Sequence, residues 1–128
     1  MQKYPLVIAL CKTTNGVAAA VKYGIENKLP IAIKSGGHCF ESFSSNDNGL
    51  MINLSEMNKV EFLDNDLIKI EPGCKLHQLY DAILPKGKII PAGSCGGVGV
   101  GGLTLGGGYG FFSRKYGLTC DSLVELTI

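Results

Sequence analysis

The chain has 128 residues, of which 45% are hydrophobic and 18% charged, enough for one globular domain with its own core. Twelve basic and eleven acidic residues leave a formal charge of +1, which offers no electrostatic footprint for nucleic acid or an anionic membrane. No stretch approaches the ~20 apolar residues of a membrane span and no signal peptide is recognisable, so we expect a cytoplasmic protein without nucleic-acid or membrane partners.

The first third of the chain predicts a βαβ unit. Residues 6–10 form an apolar run with the length of a buried strand, and residues 31–33 form a second one. Between them, residues 15–27 carry apolar side chains at helical spacing, after candidate N-cap residues at 13–15. We therefore expect two adjacent parallel strands, with the helix crossing one face of their sheet.

The rest of the chain predicts short strands and one further helix. The predicted elements are strands at residues 51–54, 66–71, 88–90 and 123–128, a hairpin turn at residues 64–65, and a helix with the apolar stripe Leu76, Leu79, Tyr80 and Ile83. The whole pattern predicts an α+β fold of mixed sheets flanked by helices. Because the last strand has no turn or cap after it, we expect residues 1–128 to be a fragment of a longer chain.

The five cysteines are odd in number and scattered, and no two stand in a CxxC pair. This spacing fits neither a disulfide framework nor a zinc site, so we expect no metal ion. Most of the five fit the role of a small buried hydrophobic residue.

A first glycine cluster follows the second predicted strand. Lys34, Ser35, Gly36, Gly37 and His38 form a turn directly after residues 31–33. Ligands of parallel sheets bind beyond the carboxyl ends of the strands, and consecutive N–H groups in a Gly-Gly turn can form a nest for an anion. The position of this turn therefore predicts an anion site.

The second glycine cluster is longer. Ten of the eighteen glycines lie within residues 93–110, interspersed with apolar Val98, Val100, Leu103 and Leu105. The tract contains no GxxxxGK[ST] motif, and its glycines do not fit GxGxxG. The residues alone leave two explanations open: a phosphate-bearing cofactor pressed against the main chain, or close packing of loops and a kinked helix.

Several motifs occur in an order that resembles one known family. They are SGGH at residues 35–38 with FS at 43–44, PAGSC at 91–95, VGVGG at 98–102, GGGYG at 106–110, RKYGL at 114–118 and DS at 121–122. This series resembles the PCMH-type FAD-binding domain of the vanillyl-alcohol oxidase family, and within it the berberine bridge enzymes and their bacterial relatives. The resemblance covers nearly the whole chain and implies that residues 1–128 are most of an FAD-binding domain, without the family's substrate domain and C-terminal segment.

The resemblance also implies two loops around the diphosphate of FAD. The turn at residues 33–39, helped by Ser44, would cradle the diphosphate with backbone N–H groups, residues 99–103 would close over it, and Tyr109 would border the cofactor. Glycines would let the diphosphate approach the main chain more closely than a Cβ permits. The residues so assigned to the cofactor are Ile33, Lys34, Ser35, Gly36, Gly37, His38, Cys39, Ser44, Ser94, Cys95, Gly99, Val100, Gly101, Gly102, Leu103 and Tyr109.

His38 and Cys95 match the residues that bond the flavin in family members with covalent FAD. His38 matches the histidine linked to the 8α-methyl group, and Cys95 matches the cysteine that bonds flavin C6 in doubly linked members. Without the resemblance, His38 also fits a hydrogen-bonding loop residue and Cys95 a buried thiol. Two positions depart from the family: Leu103 stands where many plant members have histidine, and Cys39, where Asp or Ser is common, places a second thiol beside His38.

The function implied by the resemblance is that of an FAD-dependent oxidase or dehydrogenase. It would take a hydride from a C–H or C–OH group of a small molecule and commonly return the electrons to oxygen. The chain shows no catalytic base, since His77 fits a surface or packing residue and the family supplies its base from elsewhere, so we expect the chain alone to be inactive. Two alternatives stay open: a reductase of the same fold with dissociable FAD, and a non-catalytic phosphate-binding module.

Overall fold

The computed structural model describes residues 2–127. The first part of the chain contains, in order, β1 (Val7–Leu10), α1 (Thr14–Glu26), β2 (Ile31–Lys34) and β3 (Leu50–Asn53). The three strands form one parallel sheet, and α1 packs on one of its faces through Ala20 and Gly24. The helix begins after Thr13, whose side-chain oxygen accepts a hydrogen bond from the Gly16 N–H at 3.1 Å, as expected of an N-cap.

The strand order differs from the expected one. β1 and β2 are parallel and share a sheet, but they are not neighbours, because β3 lies between them and pairs with both. β3 takes the centre because it is apolar on both faces: Leu50 and Ile52 are fully buried, and Met51 is 7% exposed. The gap also suits α1, since a helix about 10 Å wide spans two strand separations of about 4.8 Å each.

The second part of the chain contains β4 (Val60–Phe62), β5 (Ile68–Ile70), α2 (Leu76–Ile83), α3 (Val100–Leu105) and α4 (Ser113–Tyr116), with 3₁₀ turns at Leu84–Lys86 and Thr119–Ser122. β4 and β5 form the expected antiparallel hairpin. Its loop is longer than expected, because Asn65 and Asp66 both adopt left-handed backbone conformations. β5 therefore begins at Ile68 instead of residue 66.

Two predicted strands are wrong. Residues 88–90 pair with no strand among residues 2–127; the Lys88 N–H donates instead to the Ile83 carbonyl, and Pro91 has no N–H with which to continue a strand. Residues 123–127 are also not a strand, because no strand in the described part of the chain pairs with them and the Leu123 N–H donates to the Cys120 carbonyl in the preceding turn. The remaining residue of that prediction, Ile128, lies outside the described residues.

The apolar side chains form two cores. The first lies between the parallel sheet and α1, and the second lies between α2, the hairpin and the glycine-rich tract. The stripe predicted for α2 is confirmed, since Leu76, Leu79 and Ile83 are buried in the second core and Tyr80 packs at its margin. Within residues 2–127, no helix has the length and apolar character needed to cross a bilayer.

Candidate functional site

The first loop of the site follows β2. The chain turns after Lys34 through Ser35, Gly36 and Gly37, and Gly37 adopts a left-handed φ of 75°. Four successive N–H groups, those of residues 36–39, have no hydrogen-bond partner within residues 2–127. Such a row of free donors at the carboxyl end of a parallel strand is suited to an anion.

The second loop is held by the N-terminus of α2. The Leu76 N–H donates to the Val98 carbonyl at 2.9 Å, and the His77 N–H donates to the Gly96 carbonyl at 3.0 Å. Both donors belong to the first turn of α2, where N–H groups lack partners inside the helix. Between these attachments the Val98 N–H donates to the Cys95 carbonyl at 3.1 Å, which closes a tight turn headed by Cys95.

The two loops touch each other. A Cβ on Gly36 would collide with the backbone of Gly99, so only two glycines allow this approach. A Cβ on Gly97 would lie 2.7 Å from the Nε2 of His38, so the imidazole rests against the turn that Cys95 heads. The expected convergence of the two glycine clusters is thus present in the structure.

One carbonyl oxygen ties the two loops together. The Ser35 hydroxyl donates to the Pro72 carbonyl at 2.6 Å, and the Gly101 N–H donates to the same oxygen at 3.1 Å. Ser35 belongs to the first loop, and Gly101 lies in α3 at the end of the second. Pro72 therefore fixes the spacing between them.

A cleft of about 870 Å³ opens between the loops. This volume is in the range of ~300–1,000 Å³ typical of ligand pockets. Phe40, Tyr109 and Phe111 line the cleft and leave 98%, 80% and 89% of their surfaces exposed. Three exposed rings around one concave site are unusual for a free surface and suit a planar aromatic ligand.

The residues predicted to bind the cofactor lie at different distances from the cleft. Those that line it are His38, Ser94, Cys95, Gly102, Leu103 and Tyr109. The other predicted residues do not line it; they are Ile33, Lys34, Ser35, Gly36, Gly37, Cys39, Ser44, Gly99, Val100 and Gly101. Eight further residues line it without having been predicted to bind the cofactor: Phe40, Glu41, Gly93, Val98, Gly106, Gly108, Gly110 and Phe111. The aromatic residues that flank the two glycine clusters were a signal for Phe40 and Phe111.

The predicted role of Gly101 needs correction. Its φ is not in the left-handed region, and a Cβ there would lie 2.8 Å from the Pro72 carbonyl oxygen, pointing into the fold instead of the cleft. Val100 is likewise turned inward, with its side chain in the second core and its N–H bonded to the Cys74 carbonyl. In α3 it is Gly102 that faces the cleft, because a Cβ there would meet nothing within 4 Å.

Exposure separates the cysteines. Cys11 and Cys74 are buried, and burial raises the pKa of both thiols, which keeps them protonated and poor nucleophiles. Cys39 and Cys95 are exposed, but only Cys95 lines the cleft. The Cys39 thiol points to the Glu41 carboxylate at 3.4 Å. Cys95 is therefore the thiol placed to react with a ligand.

The loop that carries Tyr109 is fastened by a buried threonine. The Thr119 hydroxyl lies 2.8 Å from the Pro91 carbonyl oxygen and 3.0 Å from that of Gly108, and its N–H donates to Gly108 at 2.8 Å. These bonds hold the side of the cleft formed by Tyr109 against Pro91, at the start of the second loop.

Sequence comparison identifies the class of protein that this fold and site define. Residues 5–128 match the FAD binding domain family, so the chain belongs to that family. The resemblance to FAD-linked oxidases of the berberine bridge type is confirmed, and so is the fold class. The structure fits the cofactor, because it offers free N–H donors, a cleft of the right size and a glycine open to it.

Three relatives illustrate the match. The FAD-linked oxidoreductase YgaK of Bacillus subtilis is 43% identical over 98% of this chain and 28% of its own length. The structure of 6-hydroxy-D-nicotine oxidase from Arthrobacter nicotinovorans has a TM-score of 0.91 at 33% identity, over 94% of this chain and 27% of its own. The glucooligosaccharide oxidase of Acremonium strictum, which carries 6-S-cysteinyl, 8α-N1-histidyl FAD, has a TM-score of 0.85 at 37% identity, over 91% of this chain and 25% of its own. The chain thus spans about a quarter of the length of these relatives.

Proposed function

We propose that this chain is the FAD-binding part of a flavin-dependent oxidoreductase that bonds its flavin through His38 and Cys95. One observation carries the proposal: His38 and Cys95 come from separate loops, line one cleft, and are joined there by the contact of the imidazole with Gly97. The doubly bonded FAD of the glucooligosaccharide oxidase, a protein of the same family, supports the assignment.

When bound, FAD supplies the acceptor for a hydride from a small-molecule C–H or C–OH group. The chain's own residues bind and orient. The free N–H groups of residues 36–39 would hold the diphosphate, Gly102 would leave room for it beside α3, and Phe40, Tyr109 and Phe111 would border the flavin. The rest of the protein supplies the substrate pocket and the catalytic base, and dioxygen accepts the electrons.

Each bond to the flavin balances as a two-electron oxidation. His38 would lose its ring proton and its nitrogen would replace one hydrogen of the 8α-methyl group, while the Cys95 sulfur would lose its proton and replace the hydrogen on C6. Each bond would release two protons and two electrons, and dioxygen would accept the electrons.

The two alternatives make different predictions about the bonds. A reductase of the same fold with dissociable FAD needs neither nucleophile at the cleft, whereas this chain places both there. A non-catalytic phosphate-binding module would need no flavin at all, and the family match supports an FAD-binding domain instead. We therefore keep the covalent oxidoreductase as the proposed function.

The test uses the full-length holoprotein, denatured in acid and separated from small molecules. We expect the flavin to remain on the polypeptide, with the peptides containing His38 and Cys95 cross-linked through it. His38→Ala should leave one bond through Cys95, Cys95→Ala one bond through His38, and the double variant should release all FAD.

Cys39→Ala is the matched control, because Cys39 is the other exposed thiol and lies outside the lining of the cleft. It should keep both bonds. Complete release of flavin from the wild type would refute both assignments, and an unchanged peptide mass in Cys95→Ala would leave only the histidine bond.

A further inference from the structure

Helix α2 presents two side chains to the loop that carries Cys95. The Tyr80 hydroxyl donates to the Gly93 carbonyl at 2.8 Å, and the His77 Nδ1 lies 2.9 Å from the Gly96 carbonyl oxygen. These two carbonyls flank Ser94 and Cys95 on either side. His77 and Tyr80 are three positions apart, so they lie on the same face of the helix.

Both side chains act as donors. A carbonyl oxygen only accepts, so the imidazole of His77 carries a proton on Nδ1. Burial raises the pKa of the Tyr80 phenol, which therefore keeps its proton for Gly93. The His77 ring is itself exposed, so its contribution to the molecule is this bond and not core packing.

We propose that His77 and Tyr80 are positioning residues that hold the Cys95 thiol at the flavin edge, an inference that rests on the proposed function. Bond formation requires the sulfur to stay within reach of one carbon atom of the ring. The segment around Cys95 is rich in glycine, and glycine leaves the backbone free unless something fixes it. Two side-chain donors from one helix add to the backbone bonds that Leu76 and His77 already make to this loop, and they restrain the segment from both sides.

The two side-chain donors on α2 should affect the flavin bond of Cys95 more than that of His38. His38 is carried by the loop after β2, which has its own attachment to Pro72 through Ser35. Removing a donor on α2 therefore loosens Cys95 directly and His38 only through their shared contact at Gly97. A selective loss of the cysteinyl bond is the signature of positioning.

The experiment uses full-length protein produced without riboflavin and then mixed with FAD. His77→Ala and Tyr80→Phe should each slow the attachment of flavin to Cys95 by about 3- to 10-fold, the effect of losing one hydrogen bond, and slow attachment to His38 much less. Amide hydrogen exchange at Val98, which closes the turn on Cys95, should accelerate by a similar factor.

Two further variants separate positioning from general stability. His77→Asn keeps a side-chain N–H near the Nδ1 position and should restore both the attachment rate and the exchange rate. Asp81→Asn changes an exposed residue of the same helix that contacts neither carbonyl, and it should match the wild type.

Unchanged attachment at Cys95 and unchanged exchange at Val98 in both His77→Ala and Tyr80→Phe would overturn the inference. Equal loss of both flavin bonds together with a lowered melting temperature would also overturn it, since that is a plain folding defect. If wild-type Cys95 carries no flavin, the proposed function fails at Cys95, and the exchange rate at Val98 alone decides whether α2 fixes the turn.

Discussion

At the scale of single residues, the contact between His38 and Gly97 has the most consequence for chemistry. The proposed bond to the flavin needs one nitrogen of the imidazole to be held in place, so what the ring packs against matters. The imidazole of His38 packs against the Cα of Gly97, since a Cβ on Gly97 would lie 2.7 Å from the His38 Nε2. Gly97 does not have a left-handed φ, so space and not backbone conformation requires glycine.

This contact yields a prediction for Gly97→Ala. The backbone accepts alanine, but the added methyl group must push the exposed His38 ring aside, which costs the fold little because that side chain is free to rotate. Attachment of flavin to His38 should fall by at least about 10-fold, as expected when a reacting group is displaced by about 1 Å. Peptide mass spectrometry of the acid-denatured holoprotein measures it.

Gly16→Ala is the control for the change of glycine to alanine. Gly16 lies in the first turn of α1, and its new Cβ would make only ordinary contacts, at 3.5 Å from Thr13. It should leave flavin attachment alone and stabilise the protein by about 0.5–1 kcal/mol. Normal attachment to His38 in Gly97→Ala would show that the imidazole is not seated against this turn in the holoprotein.

At the scale of elements, the sequence predicted α1, α2 and the hairpin, but it missed the short helices α3 and α4 and predicted two strands that do not form. The stripe of α2 and the alternation of β5 are local patterns that decide their own structure. Strand order is not local: that β3 would separate β1 from β2 depends on which strand is apolar on both faces, compared across the whole sheet. The strand predicted at residues 88–90 is wrong because an apolar run before a proline has the sequence pattern of a strand whether or not a partner strand exists.

In the candidate site, too, the sequence predicted local features and missed those that depend on the arrangement of the fold. The motifs identified His38 and Cys95, and geometry brings both to one cleft. The glycines carried less information, because some serve contact between loops, some serve the fold and some serve the cleft, and the sequence does not tell these apart. Gly101 and Gly102 are neighbours in α3, yet one faces Pro72 and the other faces the cleft.

These two glycines allow a matched test within one helix. Gly101→Val places its Cβ 2.8 Å from a backbone oxygen that cannot easily move, so it should destabilise the protein by about 1–3 kcal/mol. Gly102→Val meets nothing in the fold and should keep its stability, but its side chain occupies the cleft and should reduce flavin incorporation several-fold.

Urea unfolding of the flavin-free full-length protein measures the stability of each variant, and absorbance after mixing with FAD measures its flavin incorporation. The opposite result, a stable Gly101→Val that binds no flavin, would mean that Gly101 faces the diphosphate after all. Equal stability losses in both variants would show that helix packing, and not the cleft, requires glycine at position 102.

At the scale of the whole molecule, the site lies at the junction of two cores. His38 lies in the loop that follows β2 of the first core, and the loop of Cys95 is hydrogen-bonded to α2 of the second. The distance between His38 and Cys95 therefore depends on how the two cores are joined. Gly73 is packed against the backbone of Leu54 and its N–H donates to Met57 at 2.8 Å, so the chain crosses from one core to the other next to Pro72.

The last prediction concerns this junction and the Ser35 hydroxyl that bridges it. Ser35→Ala removes the bond to the Pro72 carbonyl, but that oxygen keeps the Gly101 N–H, so no buried acceptor is left without a partner. Stability should fall by only about 0.5–1.5 kcal/mol, the net value of one hydrogen bond. Both flavin bonds should nevertheless form more slowly, since the first loop loses its tie to the second.

Ser55→Ala is the control, because that hydroxyl has no hydrogen-bond partner within residues 2–127. Urea unfolding and a time course of flavin attachment to the full-length protein measure the two effects. Slower attachment at His38 with a normal rate at Cys95 would place the effect of Ser35 in its own loop alone, and unchanged rates at both residues would show that the junction does not set the spacing of the anchors.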